Sequence, residues 1–218
     1  IAEAAALIHR LNPDCYFHVD AVQAYGKFEL YPKRLGIDMM SVSSHKIEGP
    51  KGVGFLYVNR RVSLKPASFG GGQQGGLRSG TLNVPAIAGM AEAARAAYED
   101  FEAKRERLLR VKNRILAGAT ELPGVRANSA TGMDSAPQIL SLSVEGVRAE
   151  VLLHALEAEG VYVSSGSACS SNHPGISATL KGIGLPAKLL DSTVRLSFSA
   201  ENTEEEAERF LELFRQTV

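Results

Sequence analysis

The sequence has no tryptophan, only two cysteines and no excess of charge of either sign. Two cysteines, Cys15 and Cys169, in 218 residues exclude a disulfide scaffold and point to a reducing, cytoplasmic setting. Lys plus Arg number 24 and Asp plus Glu 24, so the formal net charge is zero. A nucleic-acid or anionic-membrane partner is therefore not called for by electrostatics. No apolar run approaches the ~20 residues of a membrane span. A basic lead segment of the secretory kind is missing, and the apolar stretch from Ile1 to Leu11 is broken by Glu3 and His9. No Cys/His spacing has the form of a metal site. The glycine-rich stretch SFGGGQQGGLRSG (68–80) lacks the GK[ST] of a P-loop.

What is present fits a globular chain: 44% hydrophobic and 22% charged residues, enough for one large domain or two small ones. Ile1 opens inside an Ala-rich helical run without a cap, which reads as a piece of a longer protein. After the turn at Asn12-Pro13-Asp14, Cys15 to Val19 reads as a buried strand ending at Asp20. Cys15 itself reads as a small core residue. Gly26 to Leu30 reads as a short extended piece, Asp38 to Ser43 as a strand, 46–54 as a Gly/Pro loop and Phe55 to Val58 as a strand. This order predicts an α/β domain with a mostly parallel sheet. From Val84 to about Leu122 the pattern is one long helix or two joined helices, with Pro85 suited to the first turn. Strands at Gln138–Val144, Val161–Ser164 and Thr193–Phe198 then alternate with helices at Ala149–Glu159 and Thr203–Thr217. The last of these carries a capping-box pattern, Thr203 with Glu206. A smaller α+β domain follows, with the division placed between residues 105 and 106.

Three constellations carry chemistry. In open α/β sheets ligands sit beyond the carboxyl ends of the strands, and Asp20 and Ser43 to Lys46 both fall at such ends. A lysine held out of water there can attack an aldehyde, and an acid nearby can pair with a pyridine nitrogen. Taken singly, Asp20 reads as a turn residue and Lys46 as a surface lysine; together, with His45 adjacent to Lys46 and Gly49-Pro50-Lys51-Gly52 beyond, they read as a site. The second is Cys169, set in the small-residue run VSSGSACSS, where a thiol is placed to react rather than to pack. The third is Arg195 in TVRLSFS, a single arginine on an apolar strand, which needs an anion if buried. Its bland alternative is a head group that reaches solvent. Among the histidines, His18 reads as a packed strand residue, and His9 and His154 as helix-face residues. His173 follows the Cys169 loop.

The segments HVDAVQ, SSHKIEGPKGVGFLYV and GGGQQGGLRSGTLNVPAIAG resemble the class V aminotransferase family of fold-type I pyridoxal-phosphate (PLP) enzymes. Within it they are similar to the cysteine desulfurases of the NifS/IscS-like group. The resemblance implies that the chain is the C-terminal portion of such an enzyme: residues 1–105 belong to the PLP-binding large domain and 106–218 form the small domain with the catalytic cysteine loop. It implies Lys46 holding PLP as an imine, Asp20 on the pyridine nitrogen and Gln23 on the ring oxygen. Ser43 and His45 would hold the phosphate, with Thr81 from the second subunit of a homodimer. Arg195 would grip the carboxylate of L-cysteine and Cys169 would take its sulfur as a persulfide. Alanine is left, and a sulfur-acceptor protein serving iron–sulfur cluster assembly or tRNA thiolation collects the sulfur. The alternatives are another class V enzyme (a small-amino-acid aminotransferase or a selenocysteine lyase) and a non-catalytic docking or dimerisation piece. The family's preceding half supplies a ring-stacking histidine, a Gly/Thr phosphate turn and an asparagine that these 218 residues do not include. Ser199 stands where the family commonly has glycine, and NHPGIS after Cys169 departs from the family's usual loop.

Overall fold

A computed structural model describes residues 1–132, 135–165 and 177–218. They form two compact units, Ile1–Phe101 and Glu102–Val218.

In the first unit, helix α1 (Ala2–Leu11) leads into strands β1 (His18–Asp20), β2 (Met39–Ser43) and β3 (Gly54–Val58), in the order β1-β2-β3. β1 and β2 run parallel, with Asp20 in register with Ser41, while β2 and β3 are antiparallel. The three described strands thus include one parallel and one antiparallel pair. The physical reason is length: ten residues join β2 to β3, too few for the crossover that a parallel pair requires. Alternation then sorts the side chains. Met40 and Val42 are buried in a cluster with Ala21, Ile37 and Met90, to which Val19 and Tyr57 add. The opposite face carries His18, Asp20, Ser41 and Ser43, all partly or fully exposed. Helix α2 (Val84–Tyr98) is capped by Asn83, whose side chain accepts from the Ala86 amide, with proline in the first turn. Helix α3 (Phe101–Thr120) follows after a break at Asp100, which has a φ of 50°. The Val84–Leu122 pattern is therefore two helices.

In the second unit β4 (Val125–Ala127), β5 (Ile139–Val144) and β6 (Thr193–Ser197) form an antiparallel sheet in that order. Helices α4 (Ala149–Ala158), α5 (Ala178–Gly182) and α6 (Glu204–Thr217) complete it. Leu140, Leu142, Val194 and Leu196 supply the sheet's apolar face. Val111, Ile115 and Ala119 of α3, Leu152 and Leu156 of α4, and Phe210, Leu211 and Phe214 of α6 close over it at helical spacing. The expected capping box is present: Thr203 accepts from the Glu206 amide, and Glu206 accepts from that of Thr203.

Four local expectations change. Cys15 is exposed, because β1 begins only at His18 and packing against the core starts at Phe17. His18 is exposed too, on the open face rather than packed. Gly26 to Leu30 yields no strand, only an isolated bridge between Tyr25 and Phe28, and Gly26 turns the chain at a φ of 75°. Val161 to Ser164 pairs with β6 only through Ser164 and Arg195.

Candidate functional site

The carboxyl ends of β1 and β2 lie side by side because the strands are parallel and in register. Asp20 ends β1, where its Oδ1 accepts from the Val22 amide at 3.0 Å. That bond fixes the carboxylate at the start of the Ala21-Val22-Gln23 turn. Ala21, fully buried, anchors the turn, and Gln23 stands exposed on it. Ser43 ends β2. A 3-10 turn over Ser44–Ile47 follows directly, so Lys46 sits in a turn of fixed geometry and not in an open loop. Ser44 and Ile47 are its buried residues, while His45 is exposed and Lys46 half-buried. The Ser43 hydroxyl and His45 Nδ1 lie 3.1 Å apart, which gathers two polar side chains at the strand end. Lys46 makes no hydrogen bond or ion pair with another described residue.

The turn is held from behind by α2. A Cβ on Gly49 would come within 2.1 Å of Ser44 Oγ and 3.0 Å of Ala93 Cβ, and one on Gly89 within 2.7 Å of Pro50 Cγ. Small residues on both sides let loop and helix approach this closely. Glu48 leaves the turn in the left-handed region, at a φ of 65°, an uncommon cost for a side-chain-bearing residue and one found at sites whose surroundings fix the backbone.

The far end of the same strands has a cluster that sequence reasoning missed. Asp38, 2% exposed, accepts from Arg61 Nε at 2.5 Å and Nη2 at 2.6 Å, from the Phe17 amide at 2.8 Å, and meets His9 Nε2 at 2.9 Å. Arg61 also donates to the carbonyls of Pro13 and Cys15. Hydrogen bonding from Arg61 holds the Asp38 carboxyl well below the usual carboxylate range, against the upward push of burial. One carboxylate thus ties α1, the start of β1, the start of β2 and the turn after β3. No spacing rule links residues 9, 17, 38 and 61, so this cluster had no sequence signal.

In the second unit Arg195 lies on β6, half-buried. Its backbone exchanges hydrogen bonds with Ser164 at 2.7 and 3.0 Å, and its Nη2 lies 3.4 Å from Ser164 Oγ. Its Nε is buried without a partner among the described residues. A buried guanidinium donor with no acceptor leaves a place for an anion. Thr81 is exposed in the segment between the glycine-rich stretch and α2. Cys169 and His173 lie outside the described residues. Lys112, read as part of a solvated helix, is buried. Its Nζ donates to the carbonyls of Ala130 and Ala136 and to Ser135 Oγ at 2.9–3.2 Å, and burial pushes its amine pKa down. No helix among the described residues is long and apolar enough to cross a membrane, and no group of side chains among them could hold a metal ion.

The sequence matches the family described as aminotransferase class V over residues 1–210. The chain belongs to the class V aminotransferase family. It is 44% identical over 205 residues to a NifS/IcsS protein homolog of Lactobacillus delbrueckii subsp. bulgaricus, covering 93% of this chain and 53% of the relative. To a cysteine desulfurase IscS of Methanosarcina thermophila it is 37% identical over 203 residues, covering 93% and 50%. Among solved structures, a NifS-like protein superposes with a TM-score of 0.86 at 32% identity, covering 99% of this chain and 55% of the other. SspA in complex with cysteine superposes with a TM-score of 0.66 at 27% identity, covering 91% of this chain and 54% of the other. The chain thus spans about half the length of the class V relatives it matches. The α/β fold of the NifS-like protein is the fold of this chain.

Proposed function

We propose that this chain is the C-terminal portion of a PLP-dependent cysteine desulfurase, converting L-cysteine to L-alanine and an enzyme-bound persulfide. The observation that carries the reading is the meeting of Asp20, Ser43, His45 and Lys46 at the carboxyl ends of the adjacent parallel strands β1 and β2. These groups fit the cofactor's chemistry: a carboxylate for a pyridine nitrogen, hydroxyl and imidazole donors for a phosphate, and a lysine with no described partner for an aldehyde. When bound, PLP supplies an electron sink for the substrate α-carbon. Asp20 would pair with the ring nitrogen and Gln23 with the ring oxygen. Ser43 and His45 would hold the phosphate, with Thr81 from a second copy of the chain in a homodimer. Lys46 would hold the cofactor's aldehyde carbon, and its amine is the group that would move the α-proton as a general base.

In the second unit, the unpartnered Nε of Arg195 is the feature suited to a substrate carboxylate. Cys169 is the nucleophile that takes the sulfur, and an acceptor protein collects it for iron–sulfur cluster or tRNA-thiolation supply. Residues 1–105 then belong to the PLP-binding domain and 106–218 to the small domain. The neighbours named for cysteine desulfurases and the SspA structure with cysteine support this substrate class. The test is an absorption spectrum of the purified protein with added PLP, before and after borohydride, followed by mass spectrometry. A visible band and a reduced pyridoxyl adduct on the Lys46 peptide are expected. Neither band nor adduct in the full-length polypeptide would overturn the assignment.

A further inference from the structure

Arg195 is held by a neighbour that the proposed chemistry does not use. The Arg195 amide donates to the Ser164 carbonyl at 2.7 Å, and the Ser164 amide donates back to the Arg195 carbonyl at 3.0 Å. Antiparallel residues that exchange both bonds carry their side chains on the same face, and Ser164 Oγ lies 3.4 Å from Arg195 Nη2. On its other flank Arg195 is in register with Ser141 of β5. The Ser141 oxygen already accepts from Asn128 Nδ2 at 3.3 Å. Ser164 is therefore the side-chain acceptor that the guanidinium meets among the described residues. Nε, on the same edge of the fork as Nη2, is buried with no partner among them. In the first unit Arg61 shows what that edge can hold, since its Nε and Nη2 together take the two oxygens of Asp38.

We propose that Ser164 is a positioning residue for Arg195, an inference that rests on the reading of Arg195 as the group facing the substrate carboxylate. The Ser164 hydroxyl accepts one Nη2 proton and so fixes the guanidinium plane at the end of a long side chain. The other Nη2 proton and the Nε proton are left in that plane as a pair for the two oxygens of a carboxylate. An arginine free to turn gives up rotamer freedom when it binds, and Ser164 removes part of that loss beforehand. Ser164 touches no substrate and acts only through Arg195. Its own place is set by its backbone, so changing the side chain leaves the pairing with β6 intact.

The experiment uses the full-length protein loaded with PLP and reads binding from the visible spectrum. The probes are L-alanine, the proposed product, and L-alaninamide, which has no carboxylate. Arg195→Met gives the reference and is expected to lose the preference for L-alanine. Ser164→Ala and Ser164→Val are each expected to weaken L-alanine about fivefold, the size of one hydrogen bond, and to leave L-alaninamide unchanged. KM for L-cysteine is expected to rise by about the same factor while kcat stays within about twofold. Ser164→Thr has the shape of the valine variant but keeps the hydroxyl, and is expected to bind as the native protein does. A folding loss common to these two variants cancels between them. In the Arg195→Met background Ser164→Val is expected to add nothing. If the threonine and valine variants behave alike, if both probes weaken together, or if the loss adds to that of Arg195→Met, the positioning role is overturned and the reading of Arg195 stands. If Arg195→Met keeps the native preference for L-alanine, the reading of Arg195 falls and this inference with it.

Discussion

At the scale of single residues, the environment of a side chain decides what it costs or contributes. Ser44 is fully buried and its Oγ has no hydrogen-bond partner among the described residues. An unmet buried hydroxyl costs on the order of 1–3 kcal/mol, so Ser44→Ala is expected to be neutral or stabilising by about 1 kcal/mol in urea denaturation. Gly49 is the converse case. A methyl there meets Ser44 Oγ and Ala93, and Gly49→Ala is expected to destabilise by about 1–3 kcal/mol. Combining it with Ser44→Ala should recover part of that loss, since the two atoms contend for one space. Asp38 behaves differently, being buried and fully paired. Asp38→Asn is expected to cost about 3 kcal/mol at neutral pH, because Arg61 keeps its charge and loses its carboxylate. The native carboxyl titrates below its ordinary, unfolded range. Its contribution is therefore present above about pH 4 and lost as the pH falls further. Urea midpoints measured from pH 7 downward should converge for native protein and variant; a constant gap would show that Asp38 is not the group titrating.

At the scale of elements, capping and packing can be tested apart. Thr203 starts α6 with both bonds of a capping box, and Thr203→Ala is expected to lose about 1 kcal/mol in thermal or urea unfolding. Leu211, fully buried on the same helix, lies where a Cβ on Gly118 of α3 would be 2.6 Å from its Cδ1. Leu211→Ala is expected to cost about 2–5 kcal/mol, well above the cap. The capping box and the turns of α2 and α6 were legible in the sequence, because caps are set by residues three or four apart. The division of the Val84–Leu122 pattern was left open there. It depends on the single left-handed residue Asp100, and no glycine marks it. β4 also went unread: three residues, Val125–Ala127, are too few to show a period, and pairing with β5 is what makes them a strand.

At the scale of the whole molecule, the proposed roles differ along the chain: Asp20 and Lys46, in the first unit, are assigned to the cofactor, and Arg195, in the second, to the substrate carboxylate. Substitutions should therefore separate the steps. In the full-length protein Lys46→Ala is expected to abolish the cofactor adduct. Cys169→Ser should keep the adduct and lose persulfide formation, read by sulfide release and by the mass of the Cys169 peptide. Persulfide formation surviving in Cys169→Ser would place the nucleophile elsewhere.

The residues proposed to carry the chemistry were determined by the sequence alone: the types and order of Asp20, Ser43, His45 and Lys46 and their place at strand ends follow from local pattern, because alternation and turn residues mark where a strand stops. Which polar groups meet was decided by tertiary structure. The parallel register puts Ser41 beside Asp20, the ten-residue link returns β3 antiparallel, and folding brings His9, Asp38 and Arg61 into one buried cluster. Such contacts join residues 11 to 29 positions apart, and their partners are chosen by strand pairing and burial, which no short spacing in a sequence encodes.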